Sequence, residues 1–231
     1  MFTLPMAEPE KRDFESSKLG TIEYWDSAYE RELASFKDVG DVGEIWFGED
    51  SQERILDWIE DCEEIANEDS VIDLGCGNGM LLVELSQRGY TDLTGVDYSD
   101  GGIQLAKSIA HNNDVDNLTL EVADLICDDA NRKCTCLSRT YKVCVDKGTY
   151  DAISLIPSDD ISARQSYLQT LKRLMTSDSL FIITSCNWTE EQLMEFFGKD
   201  LKLHTKIKTP SFMFGGKTGN TVTSLIFKLR T

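Results

Sequence analysis

The chain has 231 residues, 41% of them hydrophobic, which is enough for the core of one domain and too much for a disordered polymer. Its 41 acidic and 23 basic side chains give a formal charge of −18, which a phosphate backbone would repel, so free nucleic acid is excluded as a partner. Seven cysteines in no framework spacing exclude a disulfide scaffold and point to free thiols in a reducing compartment, the cytoplasm or the nucleus.

The charge is uneven. Residues 1–70 hold 21 acidic and 6 basic side chains, a net of −15, and the remainder only −3. Such a bias is either a solvated face or a surface that steers a basic partner. No apolar run reaches 18 residues and the first twenty lack the apolar stretch of a signal peptide, so no membrane association is expected.

In chain order, Pro5, Pro9 and dense charge mark residues 1–18 as a disordered tail. "TIEYWDSAYEREL" reads as a short helix with Trp25, Tyr29 and Leu33 at a spacing of four, and "GDVGEIWFGED" as a loop. Ser51 is the expected N-cap of a helix through Ala66, with Ile55, Ile59, Cys62 and Ala66 on one face. A strict alternation follows. "SVIDL" is a strand, "NGMLLVELSQRG" a helix ending at Gly89, "DLTGVDYS" a strand, "GGIQLAKSIAHNN" a helix and "NLTLEVAD" a strand. After an irregular stretch with "CDDANRKCTC" come the strand "YKVCVDKG", with "YDAISL" continuing near it, the helix "ISARQSYLQTLKRLM" and the strand "SLFIITS". Thr189 should cap a short helix, "TEEQLMEFF", ahead of two last strands, "LKLHTKIK" and "TVTSLIFKL". This pattern predicts an α/β fold: a mostly parallel sheet with helices on both faces and an antiparallel hairpin at one edge. Cys134 and Cys136 stand too close for the usual zinc pair and have no histidine beside them, so no metal is expected. His111 and His204 lie in no catalytic context.

"VIDLGCGNG" places the first strand-to-helix loop. In an open parallel sheet the ligand lies beyond the carboxyl ends of the strands. Gly75, Gly77 and Gly79 leave the main chain bare there, and the following helix presents free amides. Asp97 ends the second strand, where a carboxylate can take both hydroxyls of a ribose. A dinucleotide site wants G-x-G-x-x-G, whereas this loop is G-x-G-x-G with Met80 following. Asp73, just before the loop, would oppose a pyrophosphate and accept from an ammonium. With Asp124 and Asp146 at the ends of the third and fourth strands, four aspartates suit a cationic ligand of the S-adenosylmethionine type, although any one of them can equally cap the next helix. Cys76 reads as a small filler, not a nucleophile.

"VIDLGCGNG", "GVDYS" and "VADL" resemble the cofactor motifs of the seven-strand S-adenosylmethionine-dependent methyltransferases, which implies a Rossmann-like seven-stranded sheet. "YWDSAYERELASF", "GDVGEIWFGED", "VDKGTYDAISL", "ITSCNWTEEQL" and "FMFGGKTGN" are similar to the eukaryotic lysine methyltransferases of translation elongation factor 1-alpha, from Leu19 onward. The resemblance implies a protein-lysine Nε-methyltransferase domain over 19–231, with 19–69 as a helical lid segment. It further implies that Asp73, Gly75 and Gly77 line the methionine part of the cofactor and that Asp97 binds the ribose. Tyr98 would lie beside the adenine, Asp124 and Leu125 at its edge, and Trp25 with Trp46, Phe47 and Gly48 would close over the site; ordinary core burial is the alternative for these aromatics. Asp146 stands where the methyl group should point and is the expected catalytic residue, orienting the amine, while Asn187 and Trp188 are candidates for the substrate channel. The amino-group signature of Asn or Asp, two prolines and an aromatic is replaced by "DKGT". The expected partner is a folded basic protein, elongation factor 1-alpha, met by a monomer. A small-molecule methyltransferase and a non-catalytic relative share every cofactor residue and stay open.

Overall fold

The computed structural model describes residues 15–127, 134–157, 160–209, 211–214, 217–220 and 222–230. Residues 1–14 of the expected tail and residues 128–133 of the cysteine-bearing irregular stretch lie outside the described residues.

Seven strands form one sheet: β1 (Ser70–Leu74), β2 (Asp92–Asp97), β3 (Leu118–Val122), β4 (Tyr141–Lys147), β5 (Met175–Ser185), β6 (Leu201–Lys206) and, last in the chain, β9 (Thr223–Leu229). Their spatial order is β3-β2-β1-β4-β5-β9-β6. The first five run parallel, and β9 pairs antiparallel with both β5 and β6. The final pair therefore forms the expected antiparallel edge, with β6 outermost. Between its strands lies a small antiparallel pair, β7 (Ser211–Phe214) with β8 (Lys217–Asn220), in place of a plain loop.

Buried strands expose neither face, so successive side chains feed two cores. Val71, Val143, Val145, Leu180 and Ile182 meet α2 (Glu49–Asp61), α3 (Met80–Gln87) and α4 (Asp100–Asn112) through Ile55, Ile59, Leu81, Leu82 and Ile103. Ile72, Leu74, Cys144, Phe181 and Ile183 face α5 (Thr149–Ser154), α6 (Asp160–Leu174) and α7 (Glu190–Phe197) through Tyr150, Tyr167, Leu171, Leu193 and Phe197. Helix α1 (Ile22–Val39) extends beyond its expected end to Gly40, whose positive φ of 76° terminates it. It lies on α4, where Tyr29 packs against Gly102.

Three expectations change. Helix α2 begins at Glu49, after positive φ values at Phe47 and Gly48 turn the chain, so Ser51 is not its cap. The Ser51 hydroxyl instead accepts from Arg54 Nη2 at 2.9 Å, and the helix stops at Asp61, short of Ala66. "YDAISL" does not continue as strand but supplies helix α5, started by Gly148 at φ 98°. Thr189 does cap α7, and with Gln192 it completes a capping box. No helix among the described residues is long and apolar enough to cross a membrane.

Candidate active site

Strand order reverses between β1 and β4, and a two-lobed cleft opens there at the carboxyl ends. Trp25, Gly75, Asp97, Tyr98, Thr149 and Ala152 border both lobes. Gly77, Asn78, Glu44, Trp46 and Lys147 also border the more polar lobe. Leu19, Ile22, Ala123, Asp124, Leu125, Ile126, Ile153 and Ile156 also border the apolar one.

The loop after β1 is as bare as its glycines require. Gly75, Gly77 and Gly79 all take positive φ. A Cβ on Gly75 would lie 2.0 Å from Thr149 Oγ1, and one on Gly77 would lie 2.9 Å from the Tyr29 hydroxyl. Gly77 N–H donates to Asp97 Oδ2 at 3.0 Å, and Ser99 N–H donates to Oδ1 at 2.9 Å. Asp97 is thereby held at the cleft between the two lobes. Burial, opposed by these two bonds, pushes its pKa up to about 6. Asp73 lies buried beneath the loop, and burial lifts it to about 7 against the pull of Lys147. Cys76 is buried, its thiol raised by burial and by Asp97, as suits a filler.

The N-terminal segment covers this loop. Trp25 anchors its indole N–H on the Leu19 carbonyl at 2.7 Å, and its ring lies 4.9 Å from that of Trp46. Asn78 Nδ2 donates to the Val42 carbonyl at 3.0 Å, and Lys147 Nζ to the Trp46 carbonyl at 3.1 Å. Phe47 packs toward Gly148, and Gly48 is the cap of α2; neither borders the cleft. In the apolar lobe Asp124 accepts from Ile126 N–H at 2.9 Å, with Leu125 beside it.

Three further placements depart from expectation. Asp146 is fully buried behind the cleft wall. Its Oδ1 accepts from Thr149 N–H at 3.0 Å, and its Oδ2 accepts from Tyr150 N–H at 3.0 Å and from the Tyr167 hydroxyl at 2.5 Å. Its carboxylate is thus occupied in starting α5 and does not border the cleft. Trp188 is also core: its indole N–H donates to Ser154 Oγ at 3.1 Å and its ring lies 5.4 Å from Tyr150, under the Arg164 guanidinium. Asn187 is half-buried at the end of β5, with its amide donating to Ser185 Oγ, and does not border the cleft. Lys147, Asn78, Glu44 and Thr149 were missed. Only their position just after β1 and β4, or in the glycine-rich loop before α2, could have singled them out.

Two buried aspartates at the loop, Asp73 and Asp97, an apolar lobe beside a ribose-type carboxylate, and a backbone loop too tight for side chains suit a cationic nucleoside ligand and oppose a pyrophosphate. Fold and site together define a methyltransferase of the seven-strand, S-adenosylmethionine-dependent class. A family model described as a methyltransferase domain matches residues 65–225. The solved structure of an S-adenosylmethionine-dependent methyltransferase from Anabaena variabilis shares the fold, with a TM-score of 0.65 at 14% identity over 96% of this chain and all of that one. EEF1A lysine methyltransferase 2 of Danio rerio is 46% identical over 97% of this chain and 93% of that protein. Protein-lysine N-methyltransferase EFM4 of Saccharomyces cerevisiae is 37% identical over 93% of this chain and 96% of that protein. The chain belongs to this protein-lysine methyltransferase family.

Proposed function

We propose that the chain transfers a methyl group from S-adenosylmethionine to a lysine Nε of translation elongation factor 1-alpha. The observation that carries the reading is the Gly75–Gly79 loop bound through Gly77 N–H to Asp97, a ribose carboxylate beside a polar and an apolar lobe. The elongation factor comes from the names of the relatives. The cofactor supplies the electrophilic methyl on a sulfonium.

The residues of the chain bind, align and exclude water. Asp97 takes the ribose hydroxyls, Asp124 and the Leu125–Ile126 backbone meet the adenine, and Tyr98 lies beside it. Asp73 sets a negative potential beneath the methionine end. Residues 19–69 act as the lid, with Trp25 and Trp46 over the polar lobe. Asp146 acts as a positioning residue that holds the start of α5, and so Thr149, against the glycine loop.

A lysine arrives charged, with a pKa of about 10.4 in water. The cleft aromatics Trp25, Trp46 and Tyr98, together with the Lys147 charge and that of the cofactor when bound, would disfavour a further ammonium, so the lysine would lose its proton to solvent before transfer. The exposed acidic face supports a basic, folded protein as substrate. Among the described residues that border the cleft, Lys147 is the one basic side chain, which makes no basic track for nucleic acid.

The test is incubation of the purified chain with methyl-labelled cofactor and purified elongation factor 1-alpha, followed by peptide mapping. Label on one lysine, absent with Asp97→Ala, is the expected result. Label on small amines alone would favour the small-molecule reading, and cofactor binding with no transfer would favour the non-catalytic one.

A further inference from the structure

One cluster of soft ligands lies outside the cleft and is unused by the chemistry above. Glu121 on β3, Cys134 and Cys136 bring one carboxylate oxygen and two sulfurs within 4.8 Å of one another. Both cysteines are buried at 4% exposure, and Glu121 is half-buried. The Cys134 thiol donates to Glu121 Oε2 at 3.1 Å. Thr135, between the cysteines, fixes the carboxylate from its own backbone: its N–H donates to Oε2 at 3.1 Å and its hydroxyl to Oε1. Two thiols turned onto one carboxylate are a poor arrangement for thiolates, since burial and the Glu121 charge push Cys136 up to about 12. A bound cation reverses that sign.

We propose that Glu121, Cys134 and Cys136 form a structural zinc site that clamps the returning segment 134–138 onto the edge strand β3. Donors around a tetrahedral zinc, at about 2.3 Å for sulfur and 2.0–2.2 Å for oxygen, stand less than ~4 Å apart, so small side-chain rotations suffice. Two thiolates and a hard carboxylate select zinc over copper(I), which prefers sulfur alone. Binding releases both thiol protons to solvent, and water on the half-exposed Glu121 side completes the fourth position. Thr135 plays the outer role of holding the carboxylate in its ligating orientation. The sequence spacing gave no such hint, because Cys-Thr-Cys lacks the usual two-residue gap and the third ligand is thirteen residues upstream on a strand. The site is independent of the methyl-transfer reading.

The test uses the full chain, reduced with a non-thiol reductant and freed of metal. Zinc is titrated in competition with a chromophoric chelator, and cadmium is titrated by its sulfur charge-transfer absorption. One equivalent of each is expected, with affinity falling as pH falls. The Cys134→Ser/Cys136→Ser double variant should lose the cadmium band, and Glu121→Gln, which keeps both thiols and the fold, should bind zinc at least tenfold more weakly. Cys62→Ser/Cys186→Ser, which removes more accessible thiols, should bind as the parent does. Absence of saturable uptake, or parent-like affinity in either the double cysteine variant or Glu121→Gln, overturns the site.

Discussion

Lys147 Nζ reaches the backbone carbonyl of Trp46 at 3.1 Å, across 101 residues of chain, and so joins the end of β4 to the segment that covers the glycine loop. Burial lowers the pKa of this lysine, opposed by Asp73, Glu84 and Asp146. The bond therefore ties down the N-terminal segment at Trp46, while the Lys147 charge offsets the buried Asp73.

Lys147→Met should keep the side-chain volume and lose both effects. A hydrogen bond from a charged donor is worth about 1.5–3 kcal/mol, so cofactor Kd should rise by roughly tenfold to a hundredfold. Calorimetry is the measurement. Unchanged affinity would show that the lid holds without this tie.

Asp97→Ala removes the acceptor of Gly77 N–H and Ser99 N–H together with the ribose ligand, and should weaken the cofactor by at least tenfold. The parent should show a matching pH dependence. Burial pushes the Asp97 pKa up to about 6, and in the proposed role it would bind hydroxyl donors as the carboxylate. Affinity should therefore climb as pH rises through about 6, and binding below that value should release a proton. Calorimetry in two buffers of different ionisation enthalpy reads this directly. Binding equally tight at pH 5 and pH 8 contradicts the assignment.

Asp146 separates positioning from chemistry. Its pKa is raised to about 7, first by burial, whereas an unfolded aspartate titrates near 3.9. The folded state holds that proton more tightly, so the contribution is fully present below about pH 4 and is lost as pH rises through about 7. Asp146→Asn can still accept from Thr149 and Tyr150 and pair with Tyr167; it should fold, bind cofactor, retain most turnover and show a flatter stability profile between pH 4 and 7. Asp146→Ala leaves those groups unsatisfied and should lose about 2–4 kcal/mol in denaturant unfolding. Collapse of turnover in Asp146→Asn with intact cofactor affinity would return the residue to a direct part in proton transfer.

The strands were legible because a parallel strand buried on both faces reads as an apolar run, and β1 matches its expected bounds. The place of Asp97 at the cleft was legible because it ends a strand beside the glycine loop, and Asp73 lies buried beneath that loop. What escaped depends on contacts distant in sequence. Lys147 gains its meaning from Trp46, and Asp146 from Tyr167, twenty-one residues further on. Trp188 was a candidate for the substrate channel because nothing local shows Tyr150 and Arg164 closing around it. Helix α5 escaped because six residues carry too little periodicity, and its start is set by the Asp146 carboxylate.

The acidic bias gives the last prediction. Glu49, Asp50, Glu53, Asp57, Glu60 and Asp61 stand exposed along α2, and Glu63, Glu64 and Glu68 follow them. Arg88 partly neutralises one patch by bonding Glu53, Asp57 and Glu60. What remains should draw a basic protein from a distance, and salt should erode the pull, since the Debye length falls from about 10 Å at 0.1 M to about 3 Å at 1 M. The specificity constant for elongation factor 1-alpha should therefore fall as salt rises, through capture and not through turnover at saturation. Neutralising Glu63, Glu68 and Asp61, which make no ion pair with Arg88, should flatten that dependence while leaving cofactor affinity unchanged. A short peptide around the target lysine should be a poor substrate because it lacks a distributed basic face. Efficient methylation of that peptide, with no salt effect on the intact protein, would reduce the acidic face to a solvated surface.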